Sequence, residues 1–512
     1  MTDTRSRTVR RALDADSEAT LPFEWRWPVK YLPLALCGGF FAFSVLWLAI
    51  GPLDWHIQNL PLVYAFLGAC LLALVGGYVW GIKKPDSARS ASRRASVLTP
   101  NRLVIAAGIV ALVLYFPTSY ATTGNWIPDV VGALSNPGDA YRTTKFLNDT
   151  TDPTIHYVRF ILSPLLITAA PVTYFLWPRL SWVARAFGLA TILGMVALTI
   201  AQGINKGMAE LTAYTCLFLA LVAASSLTKG RRRRLVAAIV AAALVIGVFV
   251  SYYALSIESR RAGDVERAAA ESSQTTPGDD SADGTGPSDS SSATPNPAPD
   301  TSDSETPPSD EEVAEAVDTG ATFGIATERK GHFIYSLQGG LHASAITLSS
   351  YATHAYYGLS LALQESWTPT YGLGFSEFVR HNAAKFLGGE EFEKSIVAET
   401  YAGKISEKGW PVGEVWATFF VHPASDISFP GVVLLIGAIG FAFARSWRDT
   451  VMKGDPLAAT VFYCLCVLVF YLPANNQLFQ GGESAIGFSV VFIAWVVLRR
   501  RARRDRPVSR VV

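Results

Sequence analysis

The chain has 512 residues, half of them Ala, Val, Ile, Leu, Met, Phe, Trp, Tyr or Cys and only 17% charged, with a mean hydropathy of +0.27. That balance excludes a soluble globular chain of this length and predicts an all-α polytopic membrane protein. The net charge of +1 hides an asymmetry, because basic residues cluster between apolar runs while acidic ones gather in one polar tract, and no nucleic-acid partner is expected.

A bilayer crossing needs roughly 20 apolar residues in helical form, since unsatisfied backbone groups are not tolerated in hydrocarbon. The basic N-terminus, residues 1–30, leads into the charge-free run Tyr31–Leu53. That run is too long for a signal-peptide core and carries no A-x-A cleavage pattern, so it reads as a retained first span. Further spans lie within Leu60–Ile82, Leu103–Thr123, Phe160–Trp177, Ala186–Ile204, Leu211–Thr228, Leu235–Ile257, Phe429–Ala444, Leu457–Leu472 and Gln480–Leu498. The expectation is about ten transmembrane helices, seven of them in 31–257 and three in 427–498.

Cytoplasmic segments collect Lys and Arg. With the N-terminus inside, 29 of the 43 basic residues fall on the cytoplasmic side, among them the tail 499–512. Both termini are therefore expected in the cytoplasm. Leu341–Leu363 also lacks charge, but counting it as a span would move that tail outside, so it reads as an interfacial or re-entrant helix. The outer loop after span seven, from about Glu258 to Asp426, far exceeds ordinary connections. Residues 268–320 hold 13 acidic residues and no Lys or Arg, so the 258–330 part is expected to be largely disordered. From Gly331 the composition turns to aromatics, His and Gly, and 331–426 reads as a structured outer cap with short interfacial helices.

The five cysteines all fall inside apolar runs and read as small buried hydrophobes. All seven histidines, His56, His156, His332, His342, His354, His381 and His422, fall on the expected outer side. Their spacings fit no helical metal motif, and no metal is expected. The outer arginines are more informative, because a guanidinium beside a membrane binds phosphate groups through its rigid fork. They include Arg142, Arg159, Arg329 and Arg380. In Gly374-Phe-Ser-Glu-Phe-Val-Arg-His381, a helix would place Glu377 one turn from Arg380 and His381, joining an acid, a cation and an imidazole; a solvated Glu-Arg pair is the plain alternative. Lys206 and Glu210 open span six, where they either snorkel to the interface or form an anion-binding helix start.

The cap contains Ser350-Tyr-Ala-Thr-His-Ala-Tyr-Tyr-Gly-Leu-Ser-Leu-Ala-Leu363 and Trp367-Thr-Pro-Thr-Tyr-Gly-Leu-Gly374. Gly409-Trp-Pro-Val-Gly-Glu-Val-Trp-Ala-Thr418, Ser425-Asp-Ile-Ser-Phe-Pro-Gly431 and Leu472-Pro-Ala-Asn-Asn-Gln-Leu-Phe-Gln480 follow. Together these resemble the oligosaccharide repeat unit polymerases of the O-antigen polymerase (Wzy-type) class, most strongly over 331–482. The resemblance implies a glycosyltransferase C-like fold in the cytoplasmic membrane, polymerising oligosaccharides carried on a polyprenyl diphosphate at its outer face. It implies no metal and no cofactor, with Arg380, Arg329 or Arg142 against the lipid diphosphate. The expected partners are that lipid-linked oligosaccharide, membrane lipids, and a chain-length regulator or flippase of the same pathway. Transfer from a lipid diphosphate also needs a proton acceptor, a role open to His354, His381, Glu414 or Asp426. Tyr356, Tyr357, Trp367 and Tyr371 offer faces for sugar rings, or pack the cap against lipid headgroups. A glycan ligase of the same architecture shares this donor. A transporter or flippase is the other alternative, although its binding groups belong at mid-membrane.

Overall fold

The structure, a computed structural model, describes residues 25–84, 99–150, 153–274, 325–329, 331–336, 340–413 and 415–504. Among these, nine helical segments are long and apolar enough to cross a membrane. The first three are α1 (Trp27–Ile50), α2 (Leu60–Lys83) and α3 (Pro100–Thr123). Within α1 a wide turn at Leu34–Gly38 follows Pro33, whose ring and missing N–H disturb the regular ladder. Two short helices follow, α4 (Val130–Ser135) and α5 (Pro137–Thr150). The fourth crossing is broken into α6 (Thr154–Leu166) and α7 (Ala169–Leu176). Then come α8 (Trp182–Ala201), α9 (Asn205–Thr228) and α10 (Arg232–Gln274).

Helix α10 continues to Gln274, well past the span end expected at Ile257. The residues beyond Ile257 are rich in Ala, Glu and Arg, good helix formers, and they add to a helix already nucleated in the membrane. Residues 275–324, most of the acidic tract, lie outside the described residues.

The cap is built from α11 (Gly340–Thr353), α12 (Ala355–Ala362), α13 (Glu377–Leu387), α14 (Gly389–Glu399) and α15 (Tyr401–Glu407). Two short strands, β1 (Leu53–Asp54) and β2 (Thr327–Glu328), pair antiparallel and tie it to the end of α1. Neither α11 nor α12 has the length of a span, in line with an interfacial or re-entrant element. Tyr356 on α12 shares a hydrogen bond of 2.7 Å with Ser44 of α1. Ser44 sits six residues before the end of α1, about 9 Å along the helix, so the cap dips into the bundle.

The last helices are α16 (Val421–Lys453), α17 (Pro456–Phe470) and α18 (Gly482–Arg504), of which α16 and α18 are long enough to cross. Helix α16 starts earlier than the expected Phe429, because a short segment from Val421 precedes a break at Ser428, whose φ of 60° is rare for a residue with a side chain. Helix α17 has 15 residues, about 22 Å, too short for the bilayer on its own. Nearly all of it is buried in protein, where non-helical backbone is tolerated at membrane depth. The chain after it, Leu472 to Gln477, is buried and non-helical, and its second half, Asn475, Asn476 and Gln477, is polar.

Glycine makes the closest helix pair. A Cβ on Gly77 would lie 2.0 Å from the Gly437 carbonyl oxygen, one on Gly81 2.7 Å from Ala444 Cβ, and one on Gly440 2.3 Å from the Leu74 carbonyl oxygen. Helices α2 and α16 thus touch backbone to backbone, the small-residue packing that replaces hydrophobic drive in membranes. Phe41, Phe420, Phe443, Phe462 and Trp447 fill the core around this pair.

Basic residues share one end of the bundle. Arg445 and Arg448 donate to the Lys84 carbonyl at the end of α2, Arg179 donates to the Lys453 carbonyl at the end of α16, and Arg499 of α18 pairs with buried Asp449 at 2.6 Å. Guanidinium groups here satisfy the orphan carbonyls of helix C-termini. The cap occupies the other end.

Candidate functional site

The site is assembled where α13, the first turn of α16 and the chain after α17 meet. Ser376 caps α13, its Oγ accepting the Val379 amide at 3.3 Å and donating to the Phe479 carbonyl. Phe375 packs on Phe419 and Phe479 with ring centroids 6.1 and 4.5 Å away, Asn476 Nδ2 donates to the Phe375 carbonyl at 2.7 Å, and the Phe419 amide donates to Leu472. Asp426 fixes the loop before α13, accepting the Thr370 hydroxyl and the amides of Gly372, Gly374 and Phe375. With four donors on it, this carboxylate serves the loop rather than a reacting hydroxyl.

Arg380 projects from the first turns of α13 with only 14% of its side chain exposed. Its Nε lies 3.8 Å from Glu393 Oε1, and it has no hydrogen-bond partner. His381, more than half exposed, contacts Glu393 Oε2 through Nδ1 at 3.0 Å. The acid that joins this cation and imidazole therefore comes from α14, whereas Glu377 is exposed.

His422 is the group that sequence reasoning missed. It is buried, near the Asn475 side chain and within electrostatic reach of Arg380, while its Nε2 has no hydrogen-bond partner. Asn475 Oδ1 in turn accepts Gln480 Nε2 at 3.0 Å. Asn476 Oδ1 and Thr418 Oγ1 are likewise buried without partners. Such orphans are few in folded proteins, and here they accompany a permanent cation. The arrangement can take an anion beside the His422 imidazole. The only sequence signal for it was polar residues, Asn475, Asn476 and Gln477, at the end of an apolar span.

The other expected site residues lie elsewhere. Arg329 donates to the carbonyls of Ala49 and Leu48, closing the C-terminus of α1. Arg142 pairs with Asp139 one turn away. His354 donates from Nδ1 to the Ser350 carbonyl at 2.8 Å, among the rings of Trp55, Tyr351, Trp410 and Trp416. Burial pulls its pKa down to about 4, with the Ser350 contact opposing. Tyr356 is fully buried, Tyr357 half-buried against Trp410. Trp367 is partly exposed and donates to the Ser425 carbonyl, and Tyr371 is 89% exposed. Lys206 is exposed one turn before Glu210. Glu414 lies outside the described residues.

Beside the Arg380 cluster, Arg159 of α6 forms a two-pronged ion pair with Glu483 of α18, and Lys385 reaches the Tyr157 hydroxyl at 3.1 Å. The first pair ties α6 to α18, and the Lys385 contact holds α13 on that pair of helices. A groove of about 470 Å³ elsewhere, along Leu244, Gly247, Val248 and Leu255 of α10, has mostly apolar walls and no charge. It suits acyl chains better than chemistry, so the Arg380 cluster is the better candidate.

Compared with known protein families, curated proteins and solved structures, the chain matches none.

Proposed function

We propose that this chain polymerises oligosaccharide repeat units carried on a polyprenyl diphosphate, at the outer face of the cytoplasmic membrane. The observation that carries the reading is Arg380. It is a mostly buried, permanently charged guanidinium whose Nε makes no hydrogen bond, within electrostatic reach of the buried imidazole of His422, at the cap end of a membrane-spanning bundle. The resemblance of 331–482 to repeat unit polymerases supplies the substrate class, and the charge rule puts the basic end in the cytoplasm and the cap outside.

In this reaction the bond from the anomeric carbon to the diphosphate oxygen breaks as the acceptor hydroxyl oxygen bonds that carbon. The hydroxyl proton passes to an imidazole, that of His381. Arg380 holds the departing diphosphate, where negative charge develops and where fixed donors lower the barrier most. Purified full-length protein in lipid nanodiscs, given a lipid-linked repeat unit, should release polyprenyl diphosphate and lengthen the glycan. In cells lacking the protein, single repeat units at the surface support the polymerase. Unattached long polymer indicates a ligase, and repeat units retained on the cytoplasmic leaflet indicate a flippase.

A further inference from the structure

We propose that Glu393 is a built-in occupant of the Arg380 anion site, and that α14 is a lid displaced when a diphosphate, lipid-linked or free, takes the place of that carboxylate. The inference rests on reading Arg380 as a diphosphate-binding residue and adds the regulation of that site.

Both neighbours of α14 are anchored. On one side α13 is tied down by Ser376 to Phe479, by the Phe160–Phe378 ring pair and by Lys385 to Tyr157. On the other side the Tyr401 amide donates to Ser425 Oγ at 3.0 Å, and Lys404 Nζ to the Ser366 carbonyl at 2.9 Å. Helix α14 itself has no buried residue. Its pair Lys394–Glu390 and the Ser395 hydrogen bond stay within the helix. Among the described residues, Glu393 makes the ion pairs and hydrogen bonds by which α14 side chains reach another helix.

The joints fit a moving arm. Gly388 and Gly389 stand consecutively at φ of 154° and 68° between α13 and α14, a region open to glycine. At the far end Thr400 is extended before α15 begins. Few residues therefore have to change for α14 to swing.

The Glu393 contact is an incomplete match for its site. The carboxylate stays 3.8 Å from Arg380 Nε, which is left without a hydrogen bond. A diphosphate brings more charge and more acceptor oxygens, and it suits the planar donors of a guanidinium better than one distant carboxylate does. Once it binds, Glu393 faces like charge and leaves, carrying α14 with it.

The test uses full-length protein in nanodiscs, with inorganic pyrophosphate and geranylgeranyl diphosphate as probes. Binding is measured by calorimetry and lid motion by hydrogen exchange over residues 389–399. Glu393→Gln keeps the shape and removes the competing charge, so it should tighten binding about tenfold. Its 389–399 amides should exchange, without probe, as fast as those of the wild type with probe. A larger gain for geranylgeranyl diphosphate assigns the site to a lipid-linked ligand, and equal gains assign it to a free diphosphate. Binding that Arg380→Ala abolishes but Glu393→Gln leaves unchanged, with exchange over 389–399 indifferent to probe, sinks the lid and keeps the anion site. Absence of binding in the wild type and in Glu393→Gln overturns both.

Discussion

Asp426 Oδ2 accepts the backbone N–H of Phe375 at 2.8 Å, joining the first segment of α16 to the loop that delivers α13. Its other oxygen takes the Thr370 hydroxyl at 2.6 Å and the Gly372 amide at 2.7 Å. Hydrogen bonds to a charged acceptor are worth about 1.5–3 kcal/mol each when one partner is deleted. Asp426→Ala should therefore cost about 3 kcal/mol of stability, read as a lower melting temperature of the purified protein. Asp426→Asn should be intermediate, since one amide oxygen still accepts. A Tm equal to wild type for Asp426→Ala would free this carboxylate for chemistry.

The α2–α16 contact offers a paired test at adjacent glycines. A Cβ on Gly77 would collide with the Gly437 carbonyl, whereas one on Gly76 would meet nothing within 4 Å. Helix propensity alone favours alanine at either position by up to about 1 kcal/mol. Gly76→Ala should be neutral or slightly stabilising, and Gly77→Ala should destabilise by about 2 kcal/mol or more, as overpacking does. Thermal unfolding in detergent decides it; equal effects at the two positions would refute the backbone contact.

His354 makes stability depend on acid. Its pKa stands near 4 in the folded chain because burial disfavours the charged ring, against about 6.5 when unfolded. Between these values the unfolded chain binds more protons, so stability is full above about pH 6.5 and falls as the pH drops towards 4. The slope from this one group is about 1.4 kcal/mol per pH unit at most. His354→Gln should flatten the fall in melting temperature between pH 6.5 and pH 4.5. An unchanged slope would show that this imidazole is not the group concerned.

Much of this architecture is legible in the sequence, and the reason is solvent. Hydrocarbon demands long apolar helices, so runs such as Leu60–Ile82 announce themselves, and the basic clusters foretell which loops share an end. Side-chain partnership is less legible. Arg329 and Arg380 look alike in sequence, yet one closes the C-terminus of α1 while the other keeps a buried Nε without a hydrogen bond, 3.8 Å from Glu393. Asp426 resembles a free carboxylate until the loop around it is seen to supply four donors. Glu393 lies 13 residues from Arg380, beyond any helical spacing rule, and meets it only because two glycines turn the chain. His422 needed the break at Ser428 and the short α17, neither of which hydropathy records.

Arg380 carries the most direct prediction about activity. A diphosphate entering from the bilayer must exchange water for fixed donors, and a planar guanidinium offers two parallel ones. Arg380→Ala removes charge and fork together, and Arg380→Lys keeps the charge but loses the geometry. Both should reduce transfer from a lipid-linked repeat unit at least about 100-fold, the usual scale for losing an electrostatic group of the transition state. The deficit should fall on kcat as well as KM if Arg380 meets the leaving diphosphate rather than only the bound donor. Protein abundance should hold, since Arg380 Nε contributes no hydrogen bond to the fold. Lys394, 74% exposed and paired only within α14, is the matched control, and Lys394→Ala should turn over normally. Near-normal transfer by Arg380→Ala would remove this residue from the site. Arg142 would then be the next arginine to test, because its partner Asp139 is a solvent-exposed neighbour, whereas Arg329 is already spent on the carbonyls of α1.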